Sequence, residues 1–308
     1  MKKMAKYVYV GVVLITLLPW TSPALALCLG IVYGLTFVNP WPKHTATISR
    51  NLLQFSVVGM GFGVPIAEVW RVGSASFVTT LTGIIFTLSL GLMLGKLLKI
   101  ETNTSMLVAC GTAICGGSAI AAITPVIRAR HEQAAVALAT VFTLNAVALL
   151  LFPAIGHHLN MAQHQFGVWA GMAIHDTSSV VGAAASYGQQ ALEIATTVKL
   201  TRAMWIAPLA MVIGMFFHSD KRAKIPLFIL AFIGAAALHT VVPTWQPLWH
   251  QLAAGARQTL VVSLFFIGSG LNRTLLRQVG LKTFVQGTLL WVAVSTATLL
   301  ALRAGIIG

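Results

Sequence analysis

Negative charge is nearly missing from this chain: Asp and Glu together number 6 among 308 residues, against 20 Lys and Arg. Charge of either sign is scarce, at 8%, while 57% of the residues are apolar and mean hydropathy is +0.86. Such a chain cannot present a water-facing surface over most of its length, so most of it lies in lipid. In a soluble protein the net charge of +14 would suggest a nucleic-acid partner. Here the basic residues sit in short loops between apolar runs, where they set orientation, and no nucleic acid is expected. Cysteine is sparse too: Cys28, Cys110 and Cys115 lie in apolar segments without ligand spacing, which predicts free thiols and neither zinc nor a disulfide. No Gly-x-x-x-x-Gly-Lys-Ser/Thr string occurs, so ATP hydrolysis is not expected, and no cofactor is implied.

What the chain does contain is apolar runs with two polar interruptions. Spans are expected near 7–20, 22–38, 51–67, 75–95, 132–153, 203–217, 226–242, 257–271 and 282–302. Interrupted segments near 104–129 and 166–188 bring the total to about nine to eleven membrane helices in one all-α, polytopic domain over residues 1–308. The amino-terminal run ends in Ala24-Leu-Ala before Leu27-Cys28, which imitates a cleavage site. Leu27 is too large for a lipoprotein site and the apolar sequence resumes at once, so a second span is expected there instead.

The interruptions read Gly111-Thr-Ala-Ile-Cys-Gly-Gly-Ser118 and Gly171-Met-Ala-Ile-His-Asp-Thr-Ser178, both Gly-x-Ala-Ile-x-x-x-Ser. Glycine and small hydroxyl residues let a helix break, and a broken backbone at bilayer depth is tolerated only in a cavity or packed in protein. Paired breaks in two parts of a chain point to the substrate site of a secondary transporter. Loop charge then gives sidedness. The amino-terminal lysines, Lys43 with Arg50, Lys96 with Lys99, Lys221-Arg222-Ala-Lys224, and Arg273, Arg277 and Lys282 are expected in the cytoplasm. The 157–165 and 243–250 stretches, without Lys or Arg, are expected outside. If both interrupted segments are hairpins dipping from opposite faces, Arg128 and Arg130 also stay inside. Two crossing, unwound helices are the alternative.

A second similarity aligns residues 50–63 with 257–270: Arg50 with Arg257, Ser56 with Ser263, Gly61 with Gly268 and Gly63 with Gly270. Val72-Gly73 with Phe77-Val78 continue it onto Val279-Gly280 with Phe284-Val285. The two stretches are expected to run in opposite directions, as in an inverted repeat. The order of the two similarities along the chain differs, so a simple tandem duplication does not follow.

On these strings, with Val198-Lys-Leu-Thr-Arg202 and Leu264-Phe-Phe-Ile-Gly-Ser-Gly-Leu271, nearly the whole chain resembles the YeiH family of bacterial inner-membrane proteins, described as sulfate exporters. The resemblance implies a fold related to sodium–proton antiporters and bile-acid or citrate transporters. Many members of the YeiH family carry glutamine where Ser179 stands, which sets that side chain apart from the candidate site.

The chemistry of an anion site can be read at both breaks. Glycine-freed amides and helix N-termini replace an anion's hydration. Cys115, Gly116, Gly117 and Ser118 on one side, and Thr177 and Ser178 on the other, are the candidate substrate ligands; close helix packing is the competing role for such small residues. Lys199 and Arg202, three residues apart, begin the next span on this reading; they either face the anion or snorkel to the outer interface. His175 and Asp176 are candidates to carry a coupled proton, with Asp176 alternatively capping the next half-helix or pairing with Lys199 or Arg202. Arg50 and Arg257 suit interface anchors, and Asn145, alone in an apolar span, suits a hydrogen bond to a neighbouring helix.

The expected function is alternating-access transport of a small inorganic or organosulfur anion, sulfate or a related sulfur oxyanion, in the bacterial inner membrane with the amino terminus in the cytoplasm. A cation–proton antiporter would want two carboxylates at the breaks, and only Asp176 is there. An intramembrane enzyme using His175 and Asp176 is the other alternative, although no nucleophile stands at a spacing that implies attack. No metal site is expected. Oligomeric state is not readable, a homodimer being one candidate.

Overall fold

Runs of leucine, valine, alanine and isoleucine without strand-like alternation leave the backbone one way to satisfy its polar groups in lipid, the helix. In the computed structural model, the described residues (2–18, 20–37, 39–217, 227–270 and 280–307) form helices and turns and no strand. The basic loops with Lys221, Arg222 and Lys224 and with Arg273 and Arg277 lie outside the described residues, as do Val279 and the side chains of Lys2, Lys3 and Lys43. The helices are α1 (Lys2–Thr16), α2 (Pro23–Thr36), α3 (Pro42–Gly61), α4 (Ile66–Ala75), α5 (Phe77–Leu97), α6 (Thr102–Ala113), α7 (Gly117–Ile123) and α8 (His131–His158). They continue as α9 (Gln163–Ala173), α10 (Thr177–Tyr187), α11 (Gln189–Met204), α12 (Ile206–Phe216), α13 (Leu227–Val241), α14 (Gln246–Ser269) and α15 (Leu281–Arg303).

Among the described residues, five stretches are long and apolar enough to cross a membrane: α5, α8, α11 with α12, residues Pro243–Ser269 ending in α14, and α15. A sixth is α3 with α4, bent by 109° between them. The protein is a polytopic helical membrane protein, with five or six full-length spans among the described residues against roughly nine to eleven expected. Within the described residues, the runs at 7–20, 22–38 and 226–242 correspond to α1, α2 and α13, of 15, 14 and 15 residues, against the roughly 20 that a bilayer requires.

The chain divides into two compact units, Met1–Arg71 with Pro226–Thr274 and Val72–Ile225 with Leu275–Gly308. In the first, α3 and α14 pack antiparallel, Gly59 against Ala256 and Gly63 against Ala253. These helices hold the matched 50–63 and 257–270 stretches, so their opposed direction agrees with the sequence reading. Matched glycines also do matched work. A Cβ on Gly61 would come within 2.7 Å of the Phe232 carbonyl of α13, and one on Gly268 within 2.7 Å of the Leu27 carbonyl of α2. Ser56 and Ser263 are both fully buried and bond back to their own helices, at Leu52 and Leu260. Arg50 is exposed and Arg257 half-buried.

In the second unit, α8 is the axis. Its 28 residues make a rod of about 42 Å. At its start, Arg130 Nη2 donates to Glu101 Oε1 at 2.8 Å and Gln133 Nε2 to Glu101 Oε2 at 2.6 Å. Hydrogen bonds from Gln133 and Arg130 hold the Glu101 carboxyl below its ordinary range. Glu101 precedes α6 and Arg130 follows α7, so the 102–129 segment enters and leaves at the same end of α8. The far end repeats the arrangement with other chemistry. Tyr187 donates to the Met161 carbonyl at 2.6 Å and stacks on Phe166 at 3.8 Å between centroids, while Gln163 Oε1 accepts the Gln190 amide at 3.0 Å. The 163–188 segment therefore also returns to its own mouth.

Both interrupted segments are hairpins, and they dip from opposite ends of α8. Cysteines introduced at the exposed positions 130 and 160, in a background lacking Cys28, Cys110 and Cys115, should label from opposite sides of sealed vesicles. Labelling of both from one side would remove this topology.

Candidate functional site

Each hairpin turns where small and capping residues permit it. In the first, α6 ends at Ala113, and Gly116 adopts φ +63°, ψ −122°, a region that side chains other than glycine's rarely enter. Its amide bonds back to the Gly111 carbonyl at 2.8 Å. In the second, α9 ends at Ala173, and Asp176 caps α10, Oδ2 accepting the Ser178 amide at 3.0 Å, the Ser179 amide at 3.3 Å and the Ser178 hydroxyl. A carboxylate on these first-turn amides answers the positive end of α10. Of the two readings of Asp176, the capping one has the observed contacts.

The two tips touch. A Cβ on Gly116 would stand 3.2 Å from Asp176 Cβ and 3.4 Å from Val141 of α8, and the His175 amide donates to Asn145 Oδ1 of α8 at 3.2 Å. Val141 and Asn145 bracket the middle of α8, so the tips meet halfway along the rod. Asn145 bonds a broken turn here, a more specific partner than the neighbouring helix expected for it.

Lys199 and Arg202 come to the same place by another route. Gly167 and Gly171 of α9 lie against Ala191, Ile194, Ala195 and Val198 of α11, which sets the two helices side by side and parallel. α11 then runs past the end of α9, and its next turn carries both cations beneath the broken backbone. Lys199 Nζ donates to the Ile174 carbonyl at 2.7 Å. Arg202 donates through Nε to Ala113 at 2.7 Å, through Nη2 to Thr112 at 3.1 Å, and through Nη1 to Met172. The carbonyl ends of α6 and α9 are negative poles without intrahelical partners. One guanidinium serves both.

This corrects the expectation that Lys199 and Arg202 open a span at 203. The span is Gln189–Phe216, interrupted at Trp205, where Pro208 has no amide for the Met204 carbonyl. Both cations lie near its middle, 0% and 2% exposed, so snorkelling to an interface does not describe them. Apolar runs missed α11 because a helix enclosed by protein can carry Thr196, Thr197, Thr201 and both cations.

The other candidates are distributed unevenly. Cys115 is buried and in electrostatic reach of Lys199, Asp176 and Arg202. Gly116 is buried, Gly117, Thr177 and Ser178 are half-buried, and Ser118 is exposed. His175 is fully buried. The main-chain carbonyls of Thr112, Ala113, Met172 and Ile174 were not foreseen; only the break motifs preceding them signalled that carbonyls would be freed there. The ensemble is a mid-depth junction with two buried cations and one acid.

Residues 6–287 match a family model described as conserved hypothetical protein 698. The UPF0324 membrane protein of Geobacter sulfurreducens is 55% identical over 92% of both chains. That of Bdellovibrio bacteriovorus is 47% identical over 98% of this chain and 95% of its own, and that of Bacteroides thetaiotaomicron 49% identical over 91% and 86%. No solved structure matches the chain. The chain belongs to this family of membrane proteins, in agreement with its resemblance to the YeiH proteins.

Proposed function

We propose that this family member is a secondary transporter of a small anion, with sulfate or a related sulfur oxyanion as the leading class, working by alternating access in the bacterial inner membrane with its amino terminus in the cytoplasm. The observation that carries the reading is the surplus of buried positive charge where two oppositely directed hairpins meet. Among the described residues, the acid at this junction with Lys199 and Arg202 is the half-buried Asp176. Buried cations in a membrane are costly and mark a pathway or a partner. Helix carbonyls satisfy only part of their capacity. Lys199 uses one of its donors and Arg202 three, which leaves two on each for an oxyanion. A mid-depth site between hairpins open to opposite faces also suits alternating access. The same arrangement supports the relation to sodium–proton antiporters and bile-acid transporters that the resemblance implies.

The rival readings find less support. A cation–proton antiporter needs free carboxylates, and Asp176 Oδ2 is taken by the start of α10. An enzyme using His175 and Asp176 would want them hydrogen-bonded to each other, and the imidazole nitrogens have no protein partner.

The test is uptake of labelled sulfate and thiosulfate into proteoliposomes. Lys199→Ala should weaken apparent affinity by roughly 10- to 150-fold, the loss of one charge-assisted hydrogen bond of about 1.5–3 kcal/mol, and Lys199→Arg should restore part of it. Unchanged affinity in Lys199→Ala would remove this residue from the site. Product formation by detergent-solubilised protein, with no vesicle present, would favour an enzyme.

A further inference from the structure

At the junction, buried side chains carry polar atoms that no protein group pairs with. His175 is fully buried and neither Nδ1 nor Nε2 has a hydrogen-bond partner. Asn145, 2% exposed, accepts the His175 amide through Oδ1 and leaves Nδ2 unpaired. Thr112, whose carbonyl receives Arg202, has a fully buried, unpaired hydroxyl. Buried polar groups are paired in the great majority of cases, and each exception asks for a role. Four of the ten such atoms among the described residues belong to these three side chains, at the hairpin tips beside the proposed anion site.

The groups around His175 narrow that role. From α11 it faces Lys199 and Arg202; its own loop supplies Asp176, and the first break supplies Cys115 among the same charges. The titratable groups of α8 stand at its ends, His131 and Glu132 at one and His157 and His158 at the other. Those of α9 and α10, His164 and Tyr187, stand at the hairpin mouth. Asp176 is engaged as a cap, and Lys199 and Arg202 already hold carbonyls. The imidazole is the remaining side chain here with unpartnered nitrogens that can take up a proton.

We infer that His175 is the proton-binding group of this site, that Asn145 positions the loop carrying it, and that proton and anion bind there together. The inference rests on the anion-transport reading above. A proton taken from water onto one imidazole nitrogen adds positive charge beside Lys199 and Arg202, and an oxyanion bound to those cations offsets it. Each ligand then favours the other, by the same factor in both directions. Joint binding of this kind gives symport of the two.

The full-length protein in detergent can be titrated calorimetrically with sulfate and with thiosulfate, which stay ionised from about pH 5.5 to about 7.5. Buffers of different ionisation enthalpy report the protons taken up. Affinity should tighten on acidification, by up to about tenfold per pH unit with about one proton taken up per anion. Both effects should vanish in His175→Gln, and the pH midpoint should move in Asn145→Ala. Anion binding with flat affinity and no proton uptake overturns the proton assignment and leaves the anion reading standing. Binding of neither anion overturns both. Proton uptake that survives His175→Gln, or is lost only in Asp176→Asn, assigns the proton elsewhere. If His175→Gln does not fold, an unmoved midpoint in Asn145→Ala overturns the assignment instead.

Discussion

Arg202→Ala should be the most damaging single change in the molecule, lowering stability by about 3 kcal/mol or more, the scale for leaving several buried acceptors without a donor. The guanidinium holds the carbonyls of Thr112 and Ala113 on one hairpin and of Met172 on the other. Without it, two helix ends keep buried acceptors with no donor, at about 1–3 kcal/mol for each. Against a typical total of about 5–15 kcal/mol, such a loss threatens folding itself. Arg202→Lys should fall between, because an ammonium lacks the planar fork that reaches both hairpins. Lys199→Ala loses one bond, to Ile174, and should affect anion affinity more than stability. Thermal unfolding in detergent beside sulfate affinity separates the two roles. An Arg202→Ala protein as stable as Lys199→Ala, but unable to bind anion, would make Arg202 a ligand and not a strut.

Gly116→Ala should abolish transport while Gly117→Ala, one residue on, is better tolerated. At φ +63° an added Cβ costs about 1–3 kcal/mol in backbone strain. That Cβ would also stand 3.3 Å from Asp176 Cα, where the opposing chain cannot swing aside. At Gly117 the first obstacle, at 2.8 Å, is the ring tip of Phe142, a partly exposed side chain that can turn. Initial uptake rates at matched expression should therefore rank wild type, Gly117→Ala and Gly116→Ala in that order. Equal rates for the two variants would show that the contact between the tips is dispensable.

The ranking of those glycines shows where sequence reading stops. Both break motifs were legible to within a few residues, because Cys115-Gly-Gly-Ser118 and His175-Asp-Thr-Ser178 cannot continue an apolar helix. Asp176 before Thr177 and Ser178 has the form of a cap, and a cap is what it makes. The hairpin reading followed from charge alone, with Arg128 and Arg130 belonging beside Lys96 and Lys99; Glu101 supplies the physical link. Depth was not legible for Lys199 and Arg202. Hydropathy reports contact with lipid, whereas these residues lie near the middle of a span-length stretch in contact with protein. Short helices such as α2 misled in the opposite sense: the 22–38 run is apolar enough for a span but already falls short of the roughly 20 residues that one needs.

The length of α8 has a consequence of its own. Because one hairpin is clasped at each end of this rod and both tips meet at its middle, α8 acts as a gauge that fixes how far each may reach. One residue added inside it would advance the far clasp by about 1.5 Å and rotate it by about 100°, swinging Asn145 away from His175 or Val141 away from Gly116. The same residue added between Leu159 and Ala162, beyond the rod, would leave the gauge intact. Tolerance to insertion should therefore change abruptly at the end of α8.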